Sequence, residues 1–281
     1  MASSAPGAGT LLSFGERLRE RSAERGRLCV GIDPHAALLR DWGLNDDVDG
    51  LREFSRRCVE AFADTACVVK PQVAFYERFG SAGFAVLEET LAELRAAGAL
   101  VIADAKRGDI GSTMAGYASA WLDPASPLRA DAVTVAPYLG LGALKPVIDT
   151  AEATGTGVFV LAATSNPEAV EFQNFQRNGT SLAQHVVNYC RDYNATQKSA
   201  TLGIVVGATV HTPPDLRGFN GPVLMPGVGA QGGTVADIAR IATDAAHWAF
   251  PNVSRSVLLA GPDIADLHKA VVEQAAQFPG C

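Results

Sequence analysis

The chain has 281 residues and 48% hydrophobic content, enough for a full core in one large domain or two ordinary ones. Its 23 Lys and Arg against 30 Asp and Glu leave a formal charge of −7. That balance argues against a nucleic-acid or anionic-membrane surface as the main partner, and makes any phosphate site local.

The first ten residues, MASSAPGAGT, are mostly small and read as a flexible start. They lack the basic opening and apolar stretch of a secretory signal. A helix is expected at about 11–25. Eight short apolar runs then follow in order: RLCVGID (27–33), CVVKPQ (67–72), LVIADAK (100–106), AVTVAP (132–137), GVFVLAAT (157–164), LGIVVGAT (202–209), VLMPGVG (223–229) and HWAFPN (247–252). Their near-continuous hydrophobicity is the pattern of parallel strands buried on both faces. Helical periods separate most of them: Leu51, Phe54, Cys58 and Phe62; Phe84, Leu87, Leu91 and Leu94 before a stop at Gly98; Leu141, Leu144 and Ile148; and finally Ile264, Leu267 and Val271. The link HTPPDLRGFNG (211–221) is too short and too rich in Pro and Gly for a full helix, so one helix is reduced to a turn. No run approaches the roughly 18 apolar residues of a membrane span.

Eight β-α units predict a single (β/α)₈ TIM barrel over 11–281 with an extra N-terminal helix. The rival, an open doubly wound sheet, lacks its glycine fingerprint after strand one, where GIDPHAA stands. Five widely spaced cysteines without a C-x-x-C pair fit a reducing, cytoplasmic setting. Five histidines form no H-x-H or H-E-x-x-H group and no G-x-S-x-G elbow occurs, so neither a metalloprotease nor a serine hydrolase is indicated.

The strand ends carry the chemistry. On a strand, alternate residues share a face, so Asp104 and Lys106 point the same way with Cα atoms about 6.6 Å apart. Asp33 ends strand one and Lys70 lies near the end of strand two, so three neighbouring strands bring four charges to one rim. A structural ion-pair network is the plainer reading. Buried charges are costly, however, and apolar replacements are often as stable, so an alternating Lys-Asp-Lys set favours chemistry. Asp109 lies past the strand, after the turn at Gly108, and strand geometry leaves its destination open. After strand seven, PGVGAQGGT (226–234) places Gly229 and Gly232 in a loop suited to phosphate, with a helix start behind it. Arg255 follows strand eight in the same sector.

DAKRGDIGST (104–113) closely resembles the D-x-K-x-x-D-I-x-x-T motif of the orotidine 5′-phosphate decarboxylase family, in the form of its longer bacterial branch. GIDPH, VVKPQVAFYE, ATSNPEA, PGVGAQGG and SRS match the family in order along the chain. The resemblance implies conversion of orotidine 5′-phosphate to uridine 5′-phosphate and carbon dioxide, the last step of pyrimidine nucleotide synthesis, without metal or organic cofactor. Lys106 then corresponds to the proton donor to C6, Asp104 to the acid facing the departing carboxylate, and Lys70 to the base linking ribose and Asp104. Asp109, Ile110 and Thr113 correspond to residues entering the neighbouring subunit's site, which implies a homodimer with shared sites. Asp33 corresponds to a ribose-hydroxyl ligand, Ser165 to a pyrimidine contact, Gln231 to a bridge between phosphate and base, and Arg255 to a phosphate clamp. Loop 165–180 has no assigned contacts beyond Ser165. Two alternatives stand beside this reading: a magnesium-dependent sugar-phosphate decarboxylase or lyase of the same superfamily, and a silent barrel that binds a nucleotide phosphate. The first places an acid where Lys70 stands, and the second gives no reason for Lys106 between two acids.

Overall fold

The computed structural model describes residues 12–197 and 200–280. The expected flexible segment 1–10 lies outside the described residues. Eight strands close into an all-parallel barrel: β1 (Cys29–Ile32), β2 (Val68–Pro71), β3 (Leu100–Arg107), β4 (Ala132–Val135), β5 (Gly157–Ala163), β6 (Leu202–Val206), β7 (Val223–Pro226) and β8 (Ala249–Val253). Each pairs with its neighbours in chain order, and β8 returns to β1 with Cys29 opposite Asn252. The (β/α)₈ architecture expected from the sequence is the one observed. Seven of the strands are buried at nearly every position, which is why their sequences read as unbroken apolar runs.

Helix α1 (Phe14–Arg25) covers the barrel where its strands begin. A reciprocal capping box between Ser13 and Glu16 starts it, satisfying amides that the first turn leaves free. Phe14 is fully buried, edge-on to Phe159 at 5.8 Å, in space that exists because Gly157 has no side chain: a Cβ there would lie 2.5 Å from the Phe14 ring. Arg17 donates to Asp131 at 2.7 Å and to the Gly155 carbonyl at 3.0 Å, tying α1 to the starts of β4 and β5.

Between strands the periodic segments form the expected helices, among them α2 (Ala36–Asp41), α3 (Val48–Phe62), α4 (Val73–Glu77), α5 (Gly80–Ala96), α6 (Gly111–Leu122) and α7 (Lys145–Thr154). Leu51, Phe54, Cys58 and Phe62 of α3 are all fully buried, a stripe that packs on the strands. No helix lies between β6 and β7, as the Pro- and Gly-rich link predicted. The stretch 165–180 forms the short helix α8 (Ala169–Gln173) and a two-stranded hairpin, Gln176–Arg177 with Thr180–Ser181. Its turn is Asn178–Gly179, both at positive φ, the geometry that favours Asn-Gly. The remaining helices are α9 (Leu182–Gln197), α10 (Val235–Ala242), α11 (Arg255–Leu258) and α12 (Ile264–Ala275).

Trp42, after α2, holds the end of the barrel that carries Arg255. Its indole stacks on Phe54 at 4.1 Å, and its Nε1 donates to the Leu258 carbonyl in α11 at 3.1 Å. Among the described residues no helix is long and apolar enough to cross a membrane.

Candidate active site

The strands end around a cavity of about 350 Å³ lined by Asp33, Lys70, Asp104, Lys106, Gln231 and Arg255, among others. Its floor is a chain of charges. Lys70 Nζ donates to Asp104 Oδ2 at 2.8 Å, and Lys106 Nζ donates to Asp104 Oδ1 at 2.6 Å. Thr134 Oγ1, from β4, donates to the same Oδ1 at 2.9 Å. Lys70 and Asp104 are 3% and 8% exposed, so both charges are removed from water and hold each other. Lys106 is exposed and reaches the open side of the pair.

Burial alone would raise the Asp104 carboxyl, but Lys70 and Lys106 outweigh it and hold Asp104 well below the usual carboxylate range. Burial likewise acts to lower Lys70, and the negative charges of Asp104 and Asp33 reverse it, leaving the ammonium above its ordinary value. The array therefore carries a fixed minus between two pluses.

Asp104 and Lys106 share a face as strand alternation requires, but the strand does not stay regular between them. The register against β4 shifts between Ala103 and Arg107, and Lys106 has φ of 50°, a left-handed conformation that costs a side-chain-bearing residue about 1–2 kcal/mol. Its backbone N–H is held by Thr134 Oγ1 at 2.9 Å. Backbone strain at a functional side chain is characteristic of sites where position matters more than stability.

Asp33 and Ser165 supply a different kind of signal. Asp33 Oδ1 and Ser165 Oγ are buried with no hydrogen-bond partner among the described residues, as is Ser256 Oγ. Buried polar atoms are normally satisfied, so these three point to a polar ligand. Ser165 lies just behind the lining: a Cβ on Gly207 would fall 2.0 Å from its Oγ.

The glycine loop differs in detail from a bare amide cradle. The N–H groups of Gly229, Gly232 and Gly233 bond to carbonyls within the loop at 2.8–3.0 Å. The first turn of α10 is closed by a capping box between Thr234 and Asp237. Gly227, Gly229 and Gly232 have φ of 99°, 72° and 86°, so their role is to let the loop turn back and present Gln231 to the cavity. The polar side chains that line this side of the cavity are Gln231 and Arg255. The Arg255 guanidinium makes no ion pair among the described residues.

Asp109, Ile110 and Thr113 are not brought to this cavity within the chain. Asp109 turns back to accept from the Ile110 N–H at 2.8 Å, and Ile110 is 61% exposed at the start of α6. The sequence reading did not single out Gln72 and His35, which line the cavity, or Thr134, which holds Asp104 from behind the lining. Gln72 accepts from Lys106 Nζ at 3.4 Å, and its place two residues after Lys70 was an available signal. Thr134 stood out as the polar residue inside AVTVAP. His35 packs on Phe75 with ring centres 4.2 Å apart, a contact without a sequence signal. Among the described residues no three His, Cys, Asp or Glu side chains converge as a metal-ligand set.

The sequence profile of the orotidine 5′-phosphate decarboxylase / HUMPS family matches residues 26–270. A Corynebacterium glutamicum protein named orotidine 5′-phosphate decarboxylase is 62% identical over 274 residues, covering 96% of this chain and 99% of the relative. The Streptomyces coelicolor protein of the same name is 56% identical, covering 94% and 96%. Among solved structures, Leishmania donovani OMP decarboxylase matches with TM-score 0.74 and 30% identity, over 95% of this chain and 97% of that one.

Proposed function

Because the chain belongs to the orotidine 5′-phosphate decarboxylase / HUMPS family, we propose that its decarboxylase chemistry runs on the Lys70–Asp104–Lys106 array. The enzyme is an orotidine 5′-phosphate decarboxylase, releasing carbon dioxide and uridine 5′-phosphate in pyrimidine synthesis. In the proposed mechanism the C6–carboxylate bond breaks, its electron pair stays on C6, and Lys106 Nζ gives that carbon a proton before recovering one from solvent. The bare carbanion has little resonance help, so a fixed ammonium lowers the barrier by meeting charge where it develops. Asp104, held ionised by its two lysines, faces the substrate carboxylate and disfavours it relative to the departing neutral product. Lys70 keeps Asp104 charged and in place.

Asp33 and Ser165 take the ribose and the base, which gives their orphaned oxygens partners, and Gln231 and Arg255 take the phosphate. Binding energy from that remote phosphate closes and orders the reacting end. Residues 11–281 act as one catalytic domain. Asp109, Ile110 and Thr113 complete the site of a second copy in a homodimer; the exposure of Ile110 supports this reading. The buried free thiols of Cys29, Cys58, Cys67 and Cys190 support a reducing, cytoplasmic setting.

The observation that carries the proposal is the 2.6 Å contact of Lys106 with a carboxylate already paired to Lys70. The test is the loss of orotidine 5′-phosphate absorbance on adding pure protein, with and without a chelator. Rapid, chelator-insensitive decay with carbon dioxide release is expected. Decay abolished by chelation would transfer the chemistry to a metal, against the placement of Lys70, because hard cations need oxygen ligands.

A further inference from the structure

A second cavity, of about 440 Å³, opens at the opposite end of the barrel, where strands begin, and four arginines line it: Arg17, Arg21, Arg95 and Arg129. Two are engaged. Arg17 is paired with Asp131 at 2.7 Å, and Arg21 faces Glu24 at 3.8 Å on the rim. Asp131 is fully used, since its other oxygen accepts the Val101 N–H at 3.0 Å.

Arg95 and Arg129 are not engaged. Among the described residues neither guanidinium makes an ion pair or hydrogen bond, and Arg95 Nε is buried without a partner. Burial, and then the like charge of Arg129, lowers Arg95 from its ordinary value, with Asp131 opposing. Glu20, Glu24 and Asp131 also line the cavity, but Asp131 is taken by Arg17 and Glu24 faces Arg21, and among the described residues no carboxylate forms an ion pair with either half-buried cation. The preceding stretch MASSAPGAGTL contains no Asp or Glu, so its side chains offer no countercharge. In a chain that is acidic overall, this lining sets four arginines against three carboxylates, and the two arginines without partners are the groups left to meet an anion.

We propose that this cavity binds a phosphate-bearing anion, held by the guanidinium groups of Arg95 and Arg129 with Arg21 at its edge. Guanidinium forks match phosphate oxygens bidentately, and such charge-assisted bonds strengthen where water is partly excluded. The volume admits a diphosphate or a small nucleotide. The site lies at the far end of β3 from Asp104 and Lys106, so a ligand here does not compete with substrate.

Isothermal titration of inorganic pyrophosphate into the full chain, in saturating uridine 5′-phosphate and at constant ionic strength, tests it. One binding event per chain is expected, weakened at least tenfold in R95Q/R129Q, whose turnover without pyrophosphate matches the parent. Should the double variant fail to fold, R129Q alone removes a side chain with no bond to lose and is expected to weaken binding at least threefold. No binding to the parent, or equal binding to the folded variants, overturns the proposal.

Discussion

Removing one member of the buried pair at the cavity floor should destabilise the protein more than removing both. Lys70→Met deletes an ammonium whose side chain is 4% exposed and leaves Asp104, 9% exposed, with Lys106 and Thr134 as remaining partners. Asp104→Asn leaves Lys70 buried with only the more distant field of Asp33. An uncompensated buried charge costs about 3–5 kcal/mol, whereas a neutral replacement of the whole pair is often harmless. For a chain of this length each kcal/mol moves Tm by about 2 °C, so Asp104→Asn is expected to melt roughly 6–10 °C below the parent, and Lys70→Met, whose carboxylate keeps Lys106, by less than that but by more than about 2 °C. The double variant K70M/D104N should recover most of that loss while turnover stays absent. Differential scanning calorimetry at one scan rate, read as a double-mutant cycle, measures the coupling. Single variants melting within about 2 °C of the parent, or a double variant whose loss is the plain sum of the two, would refute the claim that the charges depend on each other.

Three further expectations come from the same geometry. Lys106→Ala should lower turnover by several orders of magnitude with a circular-dichroism spectrum like the parent's, since the Lys106 backbone N–H keeps its Thr134 bond; near-normal turnover would remove Lys106 from the mechanism. Gly207→Ala would put a Cβ 2.0 Å from Ser165 Oγ, so KM should rise at least tenfold with a smaller change in kcat, and unchanged steady-state kinetics would take Ser165 out of the substrate site. As for pH, Asp104 is held below its unfolded carboxylate value, so its contribution to stability is complete above about pH 5 and is lost as acid protonates it. Lys70 is raised, so its contribution is complete below the ordinary lysine value of about 10.4 and fades only above that. Denaturant midpoints should thus be flatter from pH 5 down to 3 in K70M/D104N than in the parent; parallel acid profiles would contradict the assignment.

Much of the site was legible because it depends on local periodicity. Asp104 and Lys106 are two apart on a strand, and Asp33 and Lys70 occur at the ends of neighbouring apolar runs, so an eight-stranded parallel barrel brings them to one rim. Thr134 and Gln72 obey the same alternation and were legible in principle. Loop 165–180 was not read, although Asn178–Gly179 marks a hairpin turn, because polar side chains around it match no period.

By itself the sequence determined the order of β and α units, the buried faces and the charges at strand ends, since each depends on residues within one or two turns of chain. Only the tertiary structure decided that the loop amides of Gly229 and Gly232 bond within their own loop, that Lys106 takes a left-handed backbone, and that Arg95 and Arg129, 34 residues apart, share one cavity. Those outcomes depend on how barrel closure sets distant backbones against one another. Residue spacing carries no information on that.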